Sequence, residues 1–375
     1  MNHDILIIGA GILGLSHAYA AARRGLKVKV FERSEAPLGA SIRNFGQALV
    51  TGQPPGEMLE LARASRDIWA LWSQQAGFDL KRNGSLLFAR TECEHAVLEQ
   101  FCTERAPLHD YQVQLLRGAA LNDLYGGRFS HHRSALLGLD DQQLYSREAL
   151  PTLIRYLHRK LGVEFHFSTL VRDVEPGKVC STAGVFYGQQ VVVCSGHDYQ
   201  TLLADTFKPL QPQVCRLQML RARAPEGLDL QQSLLTGLSC LHYGAFADLP
   251  ATRELAAEVE RSSPHLLSHG IHLLISPTPH GELIIGDSHD YGRDAGPFNA
   301  EQVDDWMIEL AEQTLAGKVQ VVERWQGVYG ARGARPFSLL QVAPGLSAAI
   351  MQTGVGMSVG PALAERHMAG LLGLG

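Results

Sequence analysis

The chain has 375 residues, of which 45% are hydrophobic and 19% charged, and its formal net charge is -5. This length exceeds what one compact core usually holds, so it predicts two domains or one elaborated α/β domain. The charge, without any run of like charges, argues against a nucleic-acid partner or an anionic membrane surface. No apolar run reaches the roughly 18 residues that span a bilayer, so we expect no integral membrane segment. The six cysteines form no CxxC pair and no disulfide or zinc framework, which favours a reduced, cytoplasmic setting.

The strongest motif lies near the start of the chain. "DILIIGAGILGLSHAYAAARRGLKVKVFER", residues 4–33, reads as a buried strand, a glycine turn, a helix and a second strand. Gly9, Gly11 and Gly14 have GxGxxG spacing, in which the glycines permit a tight turn, the approach of a pyrophosphate and close helix–strand packing. Glu32 follows Gly14 by 18 residues, near the spacing at which a carboxylate accepts hydrogen bonds from a ribose. The segment predicts a dinucleotide site, with a structural turn as the alternative. The glutamate disfavours NADPH, and the motif leaves NAD and FAD open.

Helical and extended patterns alternate through the middle of the chain. Apolar spacing predicts helices over 57–77, 91–106, 146–162, 250–261 and 300–316, and strands in "NGSLLFAR", "VEFHFST" and Val191–Cys194. Residues 213–290 are rich in strands, and 272–292 read as a hairpin. His131, His132 and Arg133 are interpreted as an exposed polar turn rather than a metal site, because no third ligand is suitably spaced.

A second glycine-rich turn precedes the last helix. "QTGVGMSVGPALAE" places Gly354, Gly356 and Gly360 ahead of a helix predicted from about Gly360. A second set of backbone N–H groups can therefore face an anion or an electron-rich ring edge. A simple strand–helix connection is the alternative.

The chain resembles the flavin-dependent amine and amino-acid oxidases that include D-amino-acid oxidase, glycine oxidase and sarcosine oxidase. The resemblance covers nearly the whole chain and rests on "IIGAGILGLSHAYAAARRGLKVKVFER", "GASIRNFGQ", "VVVCSG" and "QTGVGMSVGPALAE". It implies an α/β fold in which a Rossmann-like FAD-binding domain is interleaved with an α+β substrate domain built on an antiparallel sheet. The implied FAD-binding domain covers residues 1–85, 142–212 and 325–375, and the substrate domain covers 86–141 and 213–324.

The resemblance also implies FAD as the cofactor. Monomeric sarcosine oxidases attach their flavin through a late cysteine, and this chain has none after Cys240, so we expect noncovalent FAD. The loop Gly39–Gln47 is expected beside the flavin ring, where Asn44 bonds flavin heteroatoms and Arg43 holds the pyrophosphate or stabilises the reduced ring. A surface role is the alternative for Arg43. The residues expected to contact the cofactor are Gly9, Gly11, Ile12, Leu13, Gly14, Glu32, Arg33, Ser41, Arg43, Asn44, Phe45, Gly46, Val171, Ser195, Gly196, Gly327, Gly354, Val355, Gly356, Met357 and Ser358.

The implied reaction is hydride transfer from a C–H next to nitrogen, followed by imine hydrolysis and reoxidation by oxygen or another acceptor. An anionic amine needs a cation in its pocket, and Arg332 and Arg335 in "GVYGARGARPFSLL" are the first candidates, with their equivalence to the family's GxRP arginine left open. His289 is a candidate for orienting the amine or binding the anion. Tyr243 and Tyr329 are candidates for shaping the pocket. The alternatives are a surface role for the two arginines, a structural role for His289 and a place in the core for the two tyrosines.

A further resemblance narrows the expected substrate from anionic amines in general to aminophosphonates. "SIRNFGQ" together with "GDSHDYG" most resembles a branch associated with phosphonate breakdown. That resemblance implies N-methylated 2-aminoethylphosphonate or a similar aminophosphonate as substrate. The alternatives from other classes are an NAD-linked dehydrogenase of a small metabolite and a non-catalytic dinucleotide-binding protein.

Overall fold

A computed structural model describes residues 3–333 and 335–374, so the outermost residues of the predicted FAD-binding domain lie outside the described residues. The strands, in chain order, are β1 His3–Ile8, β2 Val28–Phe31, β3 Gln47–Ala48, β4 Leu80–Lys81, β5 Ser85–Ala89, β6 Val113–Leu116, β7 Ser134–Gly138, β8 Gln142–Leu144, β9 Glu164–His166, β10 Val171–Glu175, β11 Lys178–Ser181, β12 Gly184–Val193, β13 Gln213–Arg223, β14 Ser233–Thr236, β15 Leu274–Pro277, β16 Glu282–Gly286, β17 Asp290–Gly292, β18 Gln320–Ala331, β19 Phe337–Ala343 and β20 Leu346–Met351. The α-helices are α1 Ile12–Ala22, α2 Glu57–Ala76, α3 Glu92–Gln100, α4 Ala106–His109, α5 Ala119–Asn122, α6 Ser146–Leu161, α7 Ala204–Phe207, α8 Pro250–Ser262, α9 Pro264–Ser268, α10 Glu301–Leu315 and α11 Gly356–Leu371.

One sheet has a parallel core. Its strands run in the order β20–β12–β1–β2–β9, and each neighbouring pair is parallel. Residues 5–8 of β1 are all buried, as expected for a strand covered on both faces. Strand β10 pairs with β11, β11 pairs with the first half of β12, and β19 pairs with β20. This is the Rossmann-like sheet that the first motif predicts.

The larger sheet is mainly antiparallel. Its strands run in the order β17–β13–β16–β15–β14–β5–β7–β6, with β18 beside β13 and only β14–β5 parallel. The longest pairing joins β13 to β18, from Gln213 opposite Ala331 to Arg223 opposite Gln320. The mixed α/β fold class is therefore confirmed. Strands β3, β8 and β4 form a small third sheet.

The two large sheets alternate along the chain. The parallel sheet takes its strands from residues 3–31, 164–193 and 337–351, and the antiparallel sheet from 85–138 and 213–331. Strand β18 continues to residue 331, so the proposed domain boundary at 325 falls inside a strand of the antiparallel sheet. The division into two discontinuous domains remains a proposal.

Helix α11 lies against α1 and α2 and brings the end of the chain to its beginning. The Trp69 indole N–H, from the buried face of α2, donates to the Met357 carbonyl oxygen at 2.7 Å. Local sequence fixes the ends of the helices: α2 ends at left-handed Gly77, and α3 begins at Thr91, which forms a capping box with Glu94. No helix in the described ranges is both long enough and apolar enough to cross a membrane.

Two local predictions were wrong. Helix α11 begins at Gly356 rather than near Gly360. Gly360 therefore lies within α11 rather than in a turn, and a Cβ there would make an ordinary van der Waals contact with Leu13 Cδ2 of α1 at 3.4 Å. His132 is buried, not exposed, because its ring stacks on Phe88 with centroids 4.4 Å apart.

Candidate functional site

The turn between β1 and α1 is held by side chains from the chain that follows. A Cβ at Gly14 would stand 1.8 Å from the Gly9 carbonyl oxygen, so only glycine lets α1 lie this close to β1. The Ile12 N–H donates to Ser41 Oγ at 2.8 Å, and the Ala10 N–H donates to a Glu32 carboxylate oxygen at 3.0 Å. The loop after β2 is thereby fastened to the start of α1.

Three cavities follow one another past the carboxyl ends of the parallel strands. The first, called the turn cavity, lies beside the ends of β1, β2 and β12. The central cavity lies between the two glycine turns and the antiparallel sheet. The third is called the arginine cavity because Arg332 and Arg335 line it. Ser41 and Arg43 line both the turn and central cavities, while Tyr243 and Tyr329 line both the central and arginine cavities.

The two glycine turns meet at the central cavity. Residues 11–13 from the first turn and 353–357 from the second both line it. A Cβ at Gly356 would lie 3.7 Å from Ile12 Cγ2, which measures how closely the two turns approach. Segments from opposite ends of the sequence thus form one cavity wall.

The loop Gly39–Gln47 uses its polar side chains partly to hold itself in place. Asn44 Nδ2 donates to the Ala40 carbonyl oxygen at 3.0 Å, and Asn44 Oδ1 accepts from Gly46 N–H at 2.7 Å and from Ser146 Oγ–H at 2.8 Å. These two bonds occupy both lone pairs of the amide oxygen. Asn44 lines the central cavity, but its observed bonds keep the loop folded, and its contact with a flavin remains a proposal.

Arg43 joins this loop to the antiparallel sheet. Its carbonyl oxygen accepts from the Trp325 indole N–H at 3.0 Å, and its guanidinium donates to the Gln326 carbonyl oxygen at 3.4 Å. Because Arg43 lines the turn and central cavities, it places a fixed positive charge where they join. This position suits either of the roles expected for Arg43, which are to hold the pyrophosphate or to stabilise the reduced flavin ring.

Most of the predicted cofactor residues line the cavities. Those in the turn cavity are Gly9, Glu32, Arg33, Val171 and Ser195; those in both turn and central cavities are Gly11, Ser41, Arg43 and Gly196; those in the central cavity are Ile12, Leu13, Asn44, Phe45, Gly327, Gly354, Val355, Gly356 and Met357.

Gly14, Gly46 and Ser358 are not among the described residues that line these cavities. Gly46 has φ +70°, and a Cβ there would lie 1.7 Å from the Leu144 carbonyl oxygen, so it fastens the loop to β8. Ser358 Oγ accepts from Leu49 N–H at 2.9 Å. These three residues support the cavity wall from behind.

The predicted substrate residues line the central and arginine cavities. Arg332 and Arg335 are exposed in the arginine cavity, and the Arg332 guanidinium lies 3.7 Å from the centre of the Tyr291 ring. Tyr329 lies against the second glycine turn, since a Cβ at Gly354 would meet its ring at 3.1 Å. His289 is buried in the wall of the central cavity.

The sequence analysis missed three polar residues in the same wall: His242, His272 and Asp287. One signal was available, because Asp287 stands two residues before His289 and so points to the same side of an extended chain. His272 comes close because β15 pairs with β16, with Leu274 opposite Gly286. Its Nε2 lies 3.5 Å from Asp287 Oδ1, and His289 Nε2 lies 3.8 Å from Asp287 Oδ2.

Burial dominates the electrostatics of this group. It raises the pKa of Asp287 to about 8 and lowers the pKa of His289 to about 4, with the Arg332 charge lowering it further. The pKa of His272 is lowered well below its ordinary value by burial and by the neighbouring histidines. His242 shows exposed surface where it lines the cavities, yet the surrounding protein still lowers its pKa to about 3. The imidazoles are therefore neutral near pH 7.

The three histidines do not have the arrangement of a shared metal ion. One ring nitrogen from each lies within 4.8 Å of the others. However, the His242 and His272 rings stack with centroids only 3.9 Å apart and planes 23° apart. Two imidazoles on one tetrahedral ion, with Zn–N near 2.1 Å, would have centroids roughly 5 Å apart. Stacked neutral rings fit the structure better than ligands.

Comparison with known proteins gives a consistent picture. The DAO family, described as FAD dependent oxidoreductase, matches residues 4–369. Glycine oxidase from Bacillus licheniformis is 32% identical over 209 residues, which are 52% of this chain and 54% of that protein, so the match spans about half the length of that relative. The crystal structure of glycine oxidase from Bacillus cereus ATCC 14579 has a TM-score of 0.78 at 18% identity and covers 99% of this chain and 95% of that one. The structure of L-proline dehydrogenase from P. horikoshii has a TM-score of 0.79 at 15% identity, covering 98% and 92%.

Proposed function

The chain belongs to the DAO family of FAD-dependent oxidoreductases, and from that premise we propose that it oxidises a C–N bond of a small anionic amine. The observation that carries the proposal is the row of three cavities. Two glycine turns form one wall of the central cavity, and Tyr243 and Tyr329 connect it to a cavity lined by two arginines. A cofactor and a negatively charged substrate can therefore meet in the central cavity.

The turn cavity suits the adenosine diphosphate portion of FAD. The two oxygens of Glu32 each accept one backbone N–H, from Ala10 and Ser34 at 3.0 Å, and so keep lone pairs for ribose hydroxyls. Ser195 Oγ is buried on this wall without a hydrogen-bond partner among the described residues, so it has bonding capacity for a ligand. The start of α1 directs N–H groups and a positive dipole toward the place where a pyrophosphate would lie.

The central cavity suits the flat ring of the flavin. Ile12, Leu13, Phe45 and Met357 supply apolar surface, and Arg43 supplies positive charge at its edge. When bound, the flavin supplies the acceptor for two electrons, and the residues of the chain bind and orient the reactants. We expect the flavin to be held without a covalent bond.

The arginine cavity supports an aminophosphonate as the substrate, such as N-methyl-2-aminoethylphosphonate. A phosphonate has three oxygens and up to two negative charges, so both Arg332 and Arg335 can bind it, whereas one arginine satisfies a carboxylate. The relatives named for glycine and L-proline oxidation indicate a small amine that carries an anionic group. The proposed substrate is also a small amine with an anionic group, but a phosphonate takes the place of the carboxylate.

The proposal is tested by anaerobic reduction of the purified, FAD-loaded protein. The panel contains N-methyl-2-aminoethylphosphonate, 2-aminoethylphosphonate, sarcosine, glycine and, as a control without an anionic group, N-methylpropylamine. We expect the flavin absorption to bleach fastest with an anionic amine, and with the N-methylated phosphonate most of all. A protein that takes up no FAD would overturn the function, and equal rates for amines with and without an anionic group would overturn the role of the arginines.

Admitting air after reduction identifies the electron acceptor. Fast return of the flavin absorption would indicate oxygen, and slow return would indicate another acceptor. The variant Arg335→Met should raise KM for the phosphonate far more than for N-methylpropylamine. Equal effects on both amines would place Arg335 outside the substrate site.

A further inference from the structure

His289 presents a lone pair to Asp287. His289 Nδ1 lies 2.8 Å from the Gly270 carbonyl oxygen, which can only accept, so Nδ1 carries the hydrogen in this bond. In the neutral ring, Nε2 is then an acceptor. That atom lies 3.8 Å from Asp287 Oδ2, so two acceptors face each other when the carboxylate is ionised.

His272 presents a second lone pair to the same carboxylate. The Ser239 hydroxyl donates to the His272 carbonyl oxygen at 2.9 Å, so Ser239 Oγ is free to accept from His272 Nδ1–H at 3.5 Å. His272 Nε2 therefore carries a lone pair and lies 3.5 Å from Asp287 Oδ1. Both of these atoms are buried and have no hydrogen-bond partner among the described residues.

When Asp287 is ionised, two imidazole nitrogens and a carboxylate thus converge on the central cavity without a hydrogen to share. A buried acceptor without a donor is unfavourable, and an uncompensated buried carboxylate more so. A primary or secondary ammonium ion supplies what is missing, since it brings at least two N–H donors and one positive charge. We infer that Asp287, His272 and His289 bind the substrate's ammonium group and that the Asp287 carboxylate accepts its proton. This inference rests on the proposed amine oxidation.

The proton transfer has a definite place in the chemistry. One N–H bond of the ammonium breaks, an O–H bond forms on Asp287, and the electron pair of the broken bond stays on nitrogen. The amine becomes neutral as the carboxylate becomes a carboxylic acid. Oxidation at the adjacent carbon needs that pair, because the C–H hydride can leave only as the pair forms the C=N bond. His272 and His289 orient the remaining N–H and are positioning residues.

Other titratable groups surround Asp287: His242, Tyr243, Cys215, Tyr291, Tyr329 and Arg332. Burial raises the pKa of the tyrosines and of the thiol and lowers the pKa of the histidine, so these groups stay neutral near pH 7. Asp287 is therefore the member of this group that changes charge near pH 8. Below that pH Asp287 holds a proton in the free protein, and this proton must leave for solvent as the ammonium ion binds, before the carboxylate can accept the substrate's proton.

Calorimetry on the wild-type holoprotein tests the inference without any turnover. Dimethylammonium and tetramethylammonium carry the same charge, but only the first has N–H donors. We expect dimethylammonium to bind about tenfold more tightly or better, as loss of charge-assisted hydrogen bonds implies. Titrations in buffers with different ionisation enthalpies count released protons. At pH 7 the free Asp287 carboxyl is protonated and must lose its proton when the cation binds, so about one proton should be released. At pH 9 the free carboxyl is already ionised, so no proton should be released.

Variants locate the site. Asp287→Asn should weaken dimethylammonium binding about tenfold or more and abolish proton release. Asp290→Asn is the matched control, since Asp290 is an exposed carboxylate that pairs with Arg216 at 2.6 Å; it should behave like the wild type. If Asp287→Asn does not fold, the wild-type proton count still decides. Equal binding of the two cations, or proton release that does not change with pH, overturns the inference.

The outcomes separate this inference from the proposed function. If no amine bleaches the flavin but dimethylammonium binds with pH-dependent proton release, the function fails and the ammonium site stands. If amines reduce the wild type and Asp287→Asn at equal rates with the same pH profile, the function stands and the inference fails. The pH profile distinguishes proton acceptance from a structural role, which would lower the rate equally at every pH.

Discussion

Replacing Ser41 with alanine tests whether the first glycine turn binds the cofactor. Ser41 Oγ accepts from Ile12 N–H at 2.8 Å, and the residue lines both the turn and central cavities. In the free protein, water can bond the N–H that the variant leaves without an acceptor, but a bound cofactor displaces that water. A buried donor without a partner costs about 1–3 kcal/mol. We therefore expect FAD to bind the variant roughly 5- to 150-fold more weakly.

The assay is a fluorescence titration of apoprotein with FAD, combined with thermal unfolding. Ser358→Ala is the matched control, because Ser358 Oγ accepts from Leu49 N–H at 2.9 Å and supports the wall from behind. This control should lower the unfolding midpoint while leaving FAD affinity within about a factor of two, since its lost bond does not face the ligand. Unchanged FAD affinity in Ser41→Ala, or equal losses of affinity in both variants, would refute the reasoning.

Four further predictions concern the loop, the arginine cavity, the buried carboxylate and the cofactor linkage. Gly46→Ala should lower the unfolding midpoint far more than Gly25→Ala, because the new Cβ would lie 1.7 Å from a carbonyl oxygen at residue 46 but in open space at residue 25. At residue 25 the left-handed φ alone costs about 1–2 kcal/mol. Similar midpoints for the two variants would contradict this prediction. Arg332→Met should raise KM for an anionic amine roughly 10- to 100-fold and for N-methylpropylamine much less, as steady-state kinetics would show. Burial raises the pKa of Asp287 to about 8, so between about pH 4 and pH 8 this carboxyl is ionised in the unfolded chain but protonated in the folded apoprotein, and folding stability falls as the pH rises through that range. The stability advantage of Asp287→Asn, measured by thermal unfolding, should therefore grow between pH 5 and pH 8, and a constant difference would disprove the shift. Burial strongly raises the pKa of Cys194, the cysteine that lines the cavities, so its thiol stays uncharged and acid precipitation should release all flavin into the supernatant; colour in the pellet would indicate a covalent bond.

The sequence predicted the parallel sheet well because its evidence is local. A buried strand, a glycine turn and a helix follow one another within residues 4–22, and each glycine has a steric task that the sequence spacing reveals. The antiparallel sheet was predicted from strand-rich composition and from the family resemblance. Its strand order was not, since pairings such as β14 with β5 join segments far apart in the chain.

The wrong and missed predictions concern residues whose surroundings are determined by packing between segments distant in the sequence. His132 looks like a polar turn residue beside His131, yet the aromatic ring of Phe88 covers it. The group formed by Asp287, His272 and His289 was missed for a similar reason. Asp287 and His289 share a short motif, but His272 joins them only through the pairing of β15 with β16, which no periodicity in the sequence reveals. Asn44, which was predicted to contact the flavin, lines the central cavity, but the bonds that occupy its amide oxygen became visible only in three dimensions, and the contact itself stays a prediction.

The meeting of residues 11–13 with residues 353–357 also constrains biosynthesis. Residues 353–357 emerge from a ribosome long after residues 11–13, so this wall is complete only once the later segment has folded against the earlier one. Under the proposed function, FAD is then enclosed only after the second glycine turn has been made, and proteolytic clipping ahead of α11 should release the yellow colour even when every residue of the first motif is intact.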